Sequence, residues 1–433
     1  MLTAVTRAFR TPDLRKKILF TLFIILVFRL GSQLPTPGVN TAAVRELVEQ
    51  AKQGGSAQVF QLVDLFSGGA LLKLSVFALG IMPYITASII LQLLTVVIPR
   101  LEALKKEGQA GTTKITQYTR YLTVGLAILQ ATGIVAMART GQLFQGTTGQ
   151  DVLYNNNVFT IITMVVCMTA GTAVIMWLGE LITDRGVGNG MSILIFTQVI
   201  AVFPSQFWGI FKSKGGFVFT LVMAVGLAIM AAVVFVEQAQ RRIPVQYAKR
   251  MVGRRMYGGT STYIPLKVNQ AGIIPVIFAS SLTYLPQLAA TLWRDNSFLN
   301  TTLAPYLQQD NPWHMAAFFG LIVFFTYFYV AITFNPTEIA DNMKKYGGFI
   351  PGIRPGRPTA EYLDYVLTRI TTPGALYLGL VALIPMIAFS MLGTTQDFAF
   401  GGTSILIVVG VGLDTVKQIE SQLQQRNYEG FLR

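Results

Sequence analysis

The sequence predicts an all-α integral membrane protein with ten transmembrane helices, and three observations support this class. Hydrophobic residues make up 52% of the 433 residues, and the mean hydropathy is +0.53. Only 12% of the residues are charged, against about 25% in an ordinary soluble domain. A single cysteine, Cys167, excludes an internal disulfide, so the fold depends on helix packing.

Apolar stretches of membrane-spanning length recur along the whole chain. A transmembrane helix needs about 20 mostly apolar residues to cross about 30 Å of hydrocarbon. No segment between the stretches is long enough to form a separate soluble domain, so we predict one membrane domain. The predicted spans are 18–34, 74–98, 116–138, 158–178, 188–204, 216–236, 270–292, 313–334, 374–392 and 400–416.

Basic residues concentrate in alternate segments between these spans. The formal net charge is +14, and with a cytoplasmic N-terminus 25 Lys and Arg residues fall in cytoplasmic segments and five in outer ones. The positive-inside rule therefore predicts that both termini face the cytoplasm. The basic start followed by an apolar run resembles a signal peptide, but Arg29 interrupts the run and no small-residue cleavage pattern follows. We predict that this first span is retained.

The spans divide into two sets of five. We predict an N-terminal half at 1–204, an external hinge connection at 205–215, a C-terminal half at 216–416 and a cytoplasmic tail at 417–433. Because five is odd, the two halves enter the membrane in opposite orientations. That is the topology of two inverted halves, with the working cavity at their interface.

The segment 59–72 is apolar but too short to cross a membrane, and Asp64, Gly68 and Gly69 interrupt it. An amphipathic helix on the outer surface would explain this pattern. A short re-entrant helix would explain it too, because irregular backbone at membrane depth is tolerated inside protein or along a cavity. We expect the re-entrant form, with 66–72 entering a funnel from outside.

Residue types needed for catalysis or ion coupling are missing from the expected positions. The sequence has no GxxxxGK[ST] motif, and its single histidine, His314, excludes HExxH. No predicted span has a charged residue or histidine in its middle, which a coupled small-solute transporter would need. We expect no catalytic residue, no metal and no cofactor. The charges near the spans, namely Arg29, Arg120, Glu237 and Asp414, are expected to snorkel from helix ends.

Prolines lie within the predicted spans at Pro83, Pro275, Pro286 and Pro385. A proline inside a membrane helix frees a carbonyl and marks a bend, often at a moving part. Ordinary helix irregularity explains the prolines equally well. An otherwise aliphatic interior would form an apolar waist that excludes ions by dewetting.

Two cytoplasmic loops, 238–269 and 335–373, are basic and punctuated by Gly and Pro, as in RRIPVQYAKRMVGRR and KKYGGFIPGIRPGRP. Positive-inside bias or anionic lipid would explain part of this charge. The ordered turns around arginines favour a docking surface for an acidic partner, either RNA phosphate or protein. The loops hold no helix-turn-helix, so we expect no DNA partner.

Seven motifs, spread over essentially the whole chain, resemble the SecY family, the central subunits of the bacterial Sec protein translocase. They are FSGGALLKLSVFALGIMPYITASIILQLL (66–94), KKEGQAGTTKITQYTRY (105–121), MWLGELITDRGVGNGMSILIF (176–196), QRRIPVQYAKR (240–250), PLKVNQAGIIPVIFASS (265–281), FNPTEIADNMKKYGGFIPGIRPG (334–356) and GGTSILIVVGVGLD (401–414).

This resemblance implies an hourglass-shaped channel with a central ring of apolar side chains and a short plug helix. The ring positions are Ile81, Ile85, Met191, Ile195, Ile277 and Ile407. The plug positions are Phe66, Ser67, Gly68, Gly69, Ala70, Leu71 and Leu72. Met191 departs from the family's preference for isoleucine, but a flexible apolar side chain still suits the ring.

The resemblance also implies a lateral gate between spans two and three on one side and seven and eight on the other, with polar residues Thr86, Gln130 and Asn269. The implied partners are the SecE and SecG small subunits, the SecA motor ATPase, the ribosome, signal sequences, unfolded preproteins and membrane lipid. The implied location is the bacterial plasma membrane. The implied docking residues are Arg242, Lys249, Arg250, Arg254, Arg255, Arg354 and Arg357.

Overall fold

The computed structural model describes residues 9, 11–44, 68–71, 73–139, 152–154, 157–247, 250–252, 255–257, 261–292, 311–392 and 402–429. Each predicted span overlaps a helix. The helices are α1 (Pro12–Gly31), α2 (Met82–Val97), α3 (Pro99–Lys106), α4 (Gln109–Arg139), α5 (Val158–Arg185), α6 (Gly190–Gln238), α7 (Ile274–Leu292), α8 (Pro312–Thr333), α9 (Pro336–Lys345), α10 (Arg357–Leu392) and α11 (Gly402–Glu429).

Among the described residues, seven helical segments are long and apolar enough to cross a membrane, or eight if the bent pair α2 and α3 is one span. The pair is bent by 99°. The helix α1 carries Asp13, Arg15, Lys16 and Lys17 in its first turns, which lowers its mean hydropathy. The chain is a multi-pass helical membrane protein, and the predicted fold class is confirmed.

The predicted external hinge connection at 205–215 is helical up to the residue before Gly215. The segment α6 consists of two helices that meet at a kink, where Gly215 has non-helical backbone angles, φ 80° and ψ 172°. A left-handed φ is readily adopted by glycine because it has no Cβ. The turn between the two spans is therefore concentrated at one residue.

Two of the four prolines begin helices instead of bending them. The predicted span 74–98 becomes a helix only at Met82, so Pro83 lies in the first turn of α2. Pro275 is likewise the second residue of α7. A missing N–H costs nothing in a first turn, where the N–H has no helical partner. Pro286 is inside α7, where a bend remains expected.

The two basic loops fold together into a small sheet, which the sequence did not predict. Strands β1 (Gln240–Tyr247) and β4 (Ser261–Lys267) form an antiparallel hairpin, and β5 (Gly348–Phe349) from the second loop pairs with the other edge of β1. The hairpin of β2 (Arg250–Val252) and β3 (Arg255–Tyr257) lies between them in the chain. A separate apolar cluster, including Ile243, Val245 and Leu266, packs this sheet against α9 and the start of α10.

The largest apolar cluster draws residues from both predicted halves. It includes Phe28 of α1, Ile89 of α2, Ile182 of α5, Phe278 of α7 and Leu406 of α11. A second cluster joins residues 71–79 to α4 and α5. The interior of the bundle is thus aliphatic and aromatic, as the hydropathy of the spans indicates.

Candidate functional site

The six predicted ring residues belong to one part of the structure. Ile81, Ile85, Ile195, Ile277 and Ile407 are buried in the largest apolar cluster, and the half-buried Met191 packs against it. They come from the start of α2, from α6, from α7 and from α11. Helices distant in sequence therefore contribute to a common apolar centre.

A cavity of about 540 Å³ opens beside this centre. Four of the ring residues line it, namely Ile85, Met191, Ile195 and Ile277. The rest of its wall includes polar side chains such as Gln92, Arg120, Glu180, Asp184 and Asn189. A cavity lined by both kinds of side chain can hold water at its polar wall, while its aliphatic wall stays dry.

Arg120 and Glu180 form a two-pronged ion pair on the cavity wall, between α4 and α5. The Arg120 Nε donates to Glu180 Oε1 at 2.9 Å, and a terminal nitrogen of the guanidinium donates to Glu180 Oε2 at 2.8 Å. A third donor of Arg120 reaches Gln117 Oε1 at 3.1 Å. Arg120, which was expected to snorkel, is also held by a carboxylate on a neighbouring helix.

The described end of the predicted plug is buried against the bundle. Ala70 and Leu71 are almost fully buried, and Arg29 of α1 donates from a terminal nitrogen to the Gly68 carbonyl oxygen at 3.0 Å. Arg29, which was expected to snorkel, thus also contacts protein backbone. The predicted plug residues Phe66, Ser67 and Leu72 lie outside the described residues.

The predicted gate helices are in contact, since α7 packs on α2 and on α4. Thr86 donates to the Met82 carbonyl of its own helix at 3.0 Å, and Gln130 is buried. Asn269 donates through Nδ2 to Glu237 Oε1 at 2.6 Å. Within the described part of the chain, no hydrogen bond joins Thr86, Gln130 and Asn269 to one another.

Glu237 is therefore a partner of the predicted gate that the sequence did not identify. It was expected to snorkel, yet it is buried and bonded to Asn269. The sequence also did not identify Glu180 as the partner of Arg120. Their partners are 32 and 60 residues away in sequence, so no local pattern connects them.

The predicted docking arginines whose side chains the structure describes are exposed, and they lie on β1, in the turn after β5 and at the start of α10. Arg242 on β1 stacks on the ring of Tyr263 of β4, with its guanidinium carbon 4.8 Å from the ring centre. Arg354 is exposed, and Arg357 pairs with Glu361 at 3.0 Å. Lys249 and Arg254 lie outside the described residues, and Arg250 and Arg255 are described only as backbone of β2 and β3.

A multi-pass helical bundle with a buried apolar cluster and a cavity of mixed polar and apolar lining beside it has the construction of a membrane channel subunit. Comparison with known proteins gives the family. The SecY family model matches residues 75–416, and the chain belongs to that family.

The similar proteins cover the whole chain. It is 68% identical over 439 residues to a protein translocase subunit SecY of Streptomyces galbus and 61% identical over 442 residues to that of Mycobacterium tuberculosis (strain ATCC 25618 / H37Rv), with 100% of each chain covered in both cases. The fold is similar to a solved protein-conducting channel, with a TM-score of 0.65, 18% identity and 94% and 91% of the two chains covered. It is also similar to Sec61 in a canine ribosome-channel complex, with a TM-score of 0.63, 18% identity and the same coverage.

Proposed function

We propose that this chain is the pore-forming subunit of a Sec translocon, a passive gated channel that moves unfolded secretory polypeptides across the bacterial plasma membrane. Its relatives over the full length of the chain are protein translocase subunits, which supports this function. The observation within the molecule that supports it is a buried apolar cluster to which several helices contribute, beside a cavity lined by four of the predicted ring residues and by polar side chains.

The chemistry of this ring suits a polypeptide as cargo. An apolar constriction excludes ions by dewetting and needs no fixed binding groups. Aliphatic side chains and the flexible Met191 can give way to residues of any size. Specific solute recognition would instead require convergent polar groups at the constriction.

The plug and the gate would control two exits. Residues 66–72 would close the channel at rest, and α2 with α4 would separate from α7 with α8 to release apolar segments into lipid. Interhelical hydrogen bonds in membranes contribute about 0.6 to 2 kcal/mol each, so apolar packing supplies much of the closing force. A signal sequence that is apolar enough would then leave sideways, while a polar chain would continue through the ring.

The energy for transport would come from a partner. No nucleotide-binding motif is present in the sequence, so the SecA motor ATPase or the translating ribosome would drive the polypeptide. The exposed arginines Arg242, Arg354 and Arg357 would dock these partners, with both termini and both basic loops in the cytoplasm. The similar fold of the Sec61 and Ssh1 complexes with ribosomes supports ribosome docking, and SecE and SecG would complete the complex.

Site-specific crosslinking tests this function. A photo-reactive residue is placed at Ile85 or at Ile407 in membranes that hold the complex, the motor and a stalled secretory chain. Leu221, which is exposed on α6, serves as the lipid-facing control. We expect crosslinks to the secretory chain from the two ring positions and none from Leu221. Absence of crosslinks from both ring positions in an assembled complex would refute passage through this subunit.

A further inference from the structure

Arg29 connects the first span to the described end of the predicted plug. It interrupts the apolar run of α1 and is half-buried. Its guanidinium donates to the carbonyl oxygen of Gly68 at 3.0 Å, across 39 residues of sequence. An arginine within a span is costly and is usually kept where it has a partner inside the protein. Here the partner is a backbone atom of the plug.

The chain after the plug is fixed to the same region by a different set of bonds. The backbone N–H of Thr36 donates to the Leu74 carbonyl at 3.0 Å, and the Thr36 hydroxyl donates to the same carbonyl at 2.8 Å. The backbone N–H of Val76 donates to the Leu34 carbonyl at 2.9 Å. None of these three hydrogen bonds involves Arg29. The segment 74–76 would therefore remain in place if the contact between Arg29 and Gly68 broke.

Gly68 has close neighbours and a left-handed backbone conformation, which favours glycine. Its φ is +65°, and a Cβ added there would lie 3.1 Å from the Arg29 guanidinium and 3.3 Å from the backbone of Gln198 on α6. Gly69 has a similar left-handed φ of +83°, yet no atom lies within 4 Å of its added Cβ. The two neighbouring glycines thus share a backbone conformation but differ in their surroundings.

We propose that Arg29 is a plug-positioning residue, a latch that holds Gly68 in the closed seat while residues 74–76 serve as the fixed end of a hinge. The proposal rests on the plug function given above. A single charge-assisted hydrogen bond favours the seated plug yet can break without unfolding the bundle. Release would then move the plug and leave residues 34 and 36 bonded to residues 74 and 76.

The test uses the purified complex with Cys167→Ala and a new cysteine at the buried position Ala70. The rate of maleimide labelling at Ala70→Cys reports how often the plug leaves its seat. We expect Arg29→Leu to raise this rate about tenfold, as expected for the loss of one hydrogen bond to a charged group. Leucine is favourable in a membrane helix, so poor insertion is not expected, and thermal unfolding checks that the bundle is intact.

Gly68→Ala and Gly69→Ala form a matched pair in the same background. Both place a side chain at positive φ, so the backbone strain is similar. Only Gly68→Ala presses on Arg29 and Gln198, and we expect it alone to raise labelling by an amount similar to Arg29→Leu. Equal labelling in the two alanine variants would assign any effect to backbone strain and overturn the latch.

Anion leak from vesicles that contain the complex separates the latch from the plug function. Faster labelling at Ala70→Cys together with an increased anion leak supports both the latch and the sealing function of the plug. Faster labelling without leak supports the latch and refutes the sealing role of the plug. Unchanged labelling in Arg29→Leu overturns the latch whatever the leak.

Discussion

Glu237 accepts a hydrogen bond of 2.6 Å from the side-chain amide of Asn269, which also donates to the Gly272 carbonyl at 3.1 Å. Glu237 is next to the end of α6, and Asn269 lies between β4 and α7. The bond therefore fixes the short connection from the basic sheet to a predicted gate helix. Lys267 strengthens the same connection, because it ends β4 and pairs with Asp414 of α11 at 3.6 Å.

Replacing Glu237 by leucine is expected to lower the free energy of unfolding of the complex by about 1.5 to 3 kcal/mol, since a bond to a charged group is lost and the Asn269 amide loses its acceptor. Glu237→Gln keeps an acceptor oxygen of the same shape and should cost less than half as much. Thermal unfolding in detergent measures both. Equal losses for the two variants would indicate that the bond contributes nothing.

The pair of Arg120 and Glu180 should stabilise the contact between α4 and α5. The Arg120 and Glu180 side chains are 41% and 24% exposed, so solvent screens the pair, and we expect each single change, Arg120→Glu or Glu180→Arg, to cost about 1 to 2 kcal/mol. The double exchange restores opposite charges and should recover at least half of the summed loss. A double variant as unstable as the sum of the two singles would show that the pair is not coupled.

Gly190 is expected to tolerate no side chain, because an added Cβ would overlap the carbonyl of Gly179 where α6 meets α5. Gly190→Ala should separate the two helices, displace the adjacent ring residue Met191 and cost about 1 to 3 kcal/mol. Gly125 in α4 is the control, since no atom lies within 4 Å of its added Cβ. Gly125→Ala should be neutral or stabilise by about 0.5 to 1 kcal/mol. Unfolding curves of Gly190→Ala and Gly125→Ala measure the two changes in stability. Similar losses of stability in both variants would refute close packing as the cause.

The stacking of Arg242 on Tyr263 should orient that arginine for an acidic partner. An exposed cation–π contact contributes about 0.5 to 1 kcal/mol, so Tyr263→Ala should weaken ribosome binding by the complex about two- to fivefold. Tyr263→Phe keeps the ring face and should bind as the unaltered protein does. Binding at several salt concentrations is the measurement, because phosphate contacts weaken as salt increases. A loss in Tyr263→Phe equal to that in Tyr263→Ala would assign the effect to the hydroxyl and not to the ring.

Hydropathy located the spans because a bilayer imposes a minimum length of apolar sequence on each helix. Every predicted span overlaps a helix, and the ring positions implied by the family motifs share one apolar cluster. The basic sheet was not predicted, because the loop 238–269 was interpreted from its charge and not from its pattern of apolar residues. Its β1 segment, QRRIPVQY, nevertheless has the alternation of exposed and buried residues typical of a strand, at Ile243 and Val245.

The sequence by itself determined the membrane class, the positions of the spans and the side of the membrane expected for each loop, because these depend on local composition. Tertiary structure alone decided which charges are paired: Arg29 with Gly68, Arg120 with Glu180 and Glu237 with Asn269. A charge near a helix end looks the same in sequence whether it snorkels to water or binds a neighbour. Only the packing of helices distant in the chain supplies the partner, and with it the reason that the charge is kept.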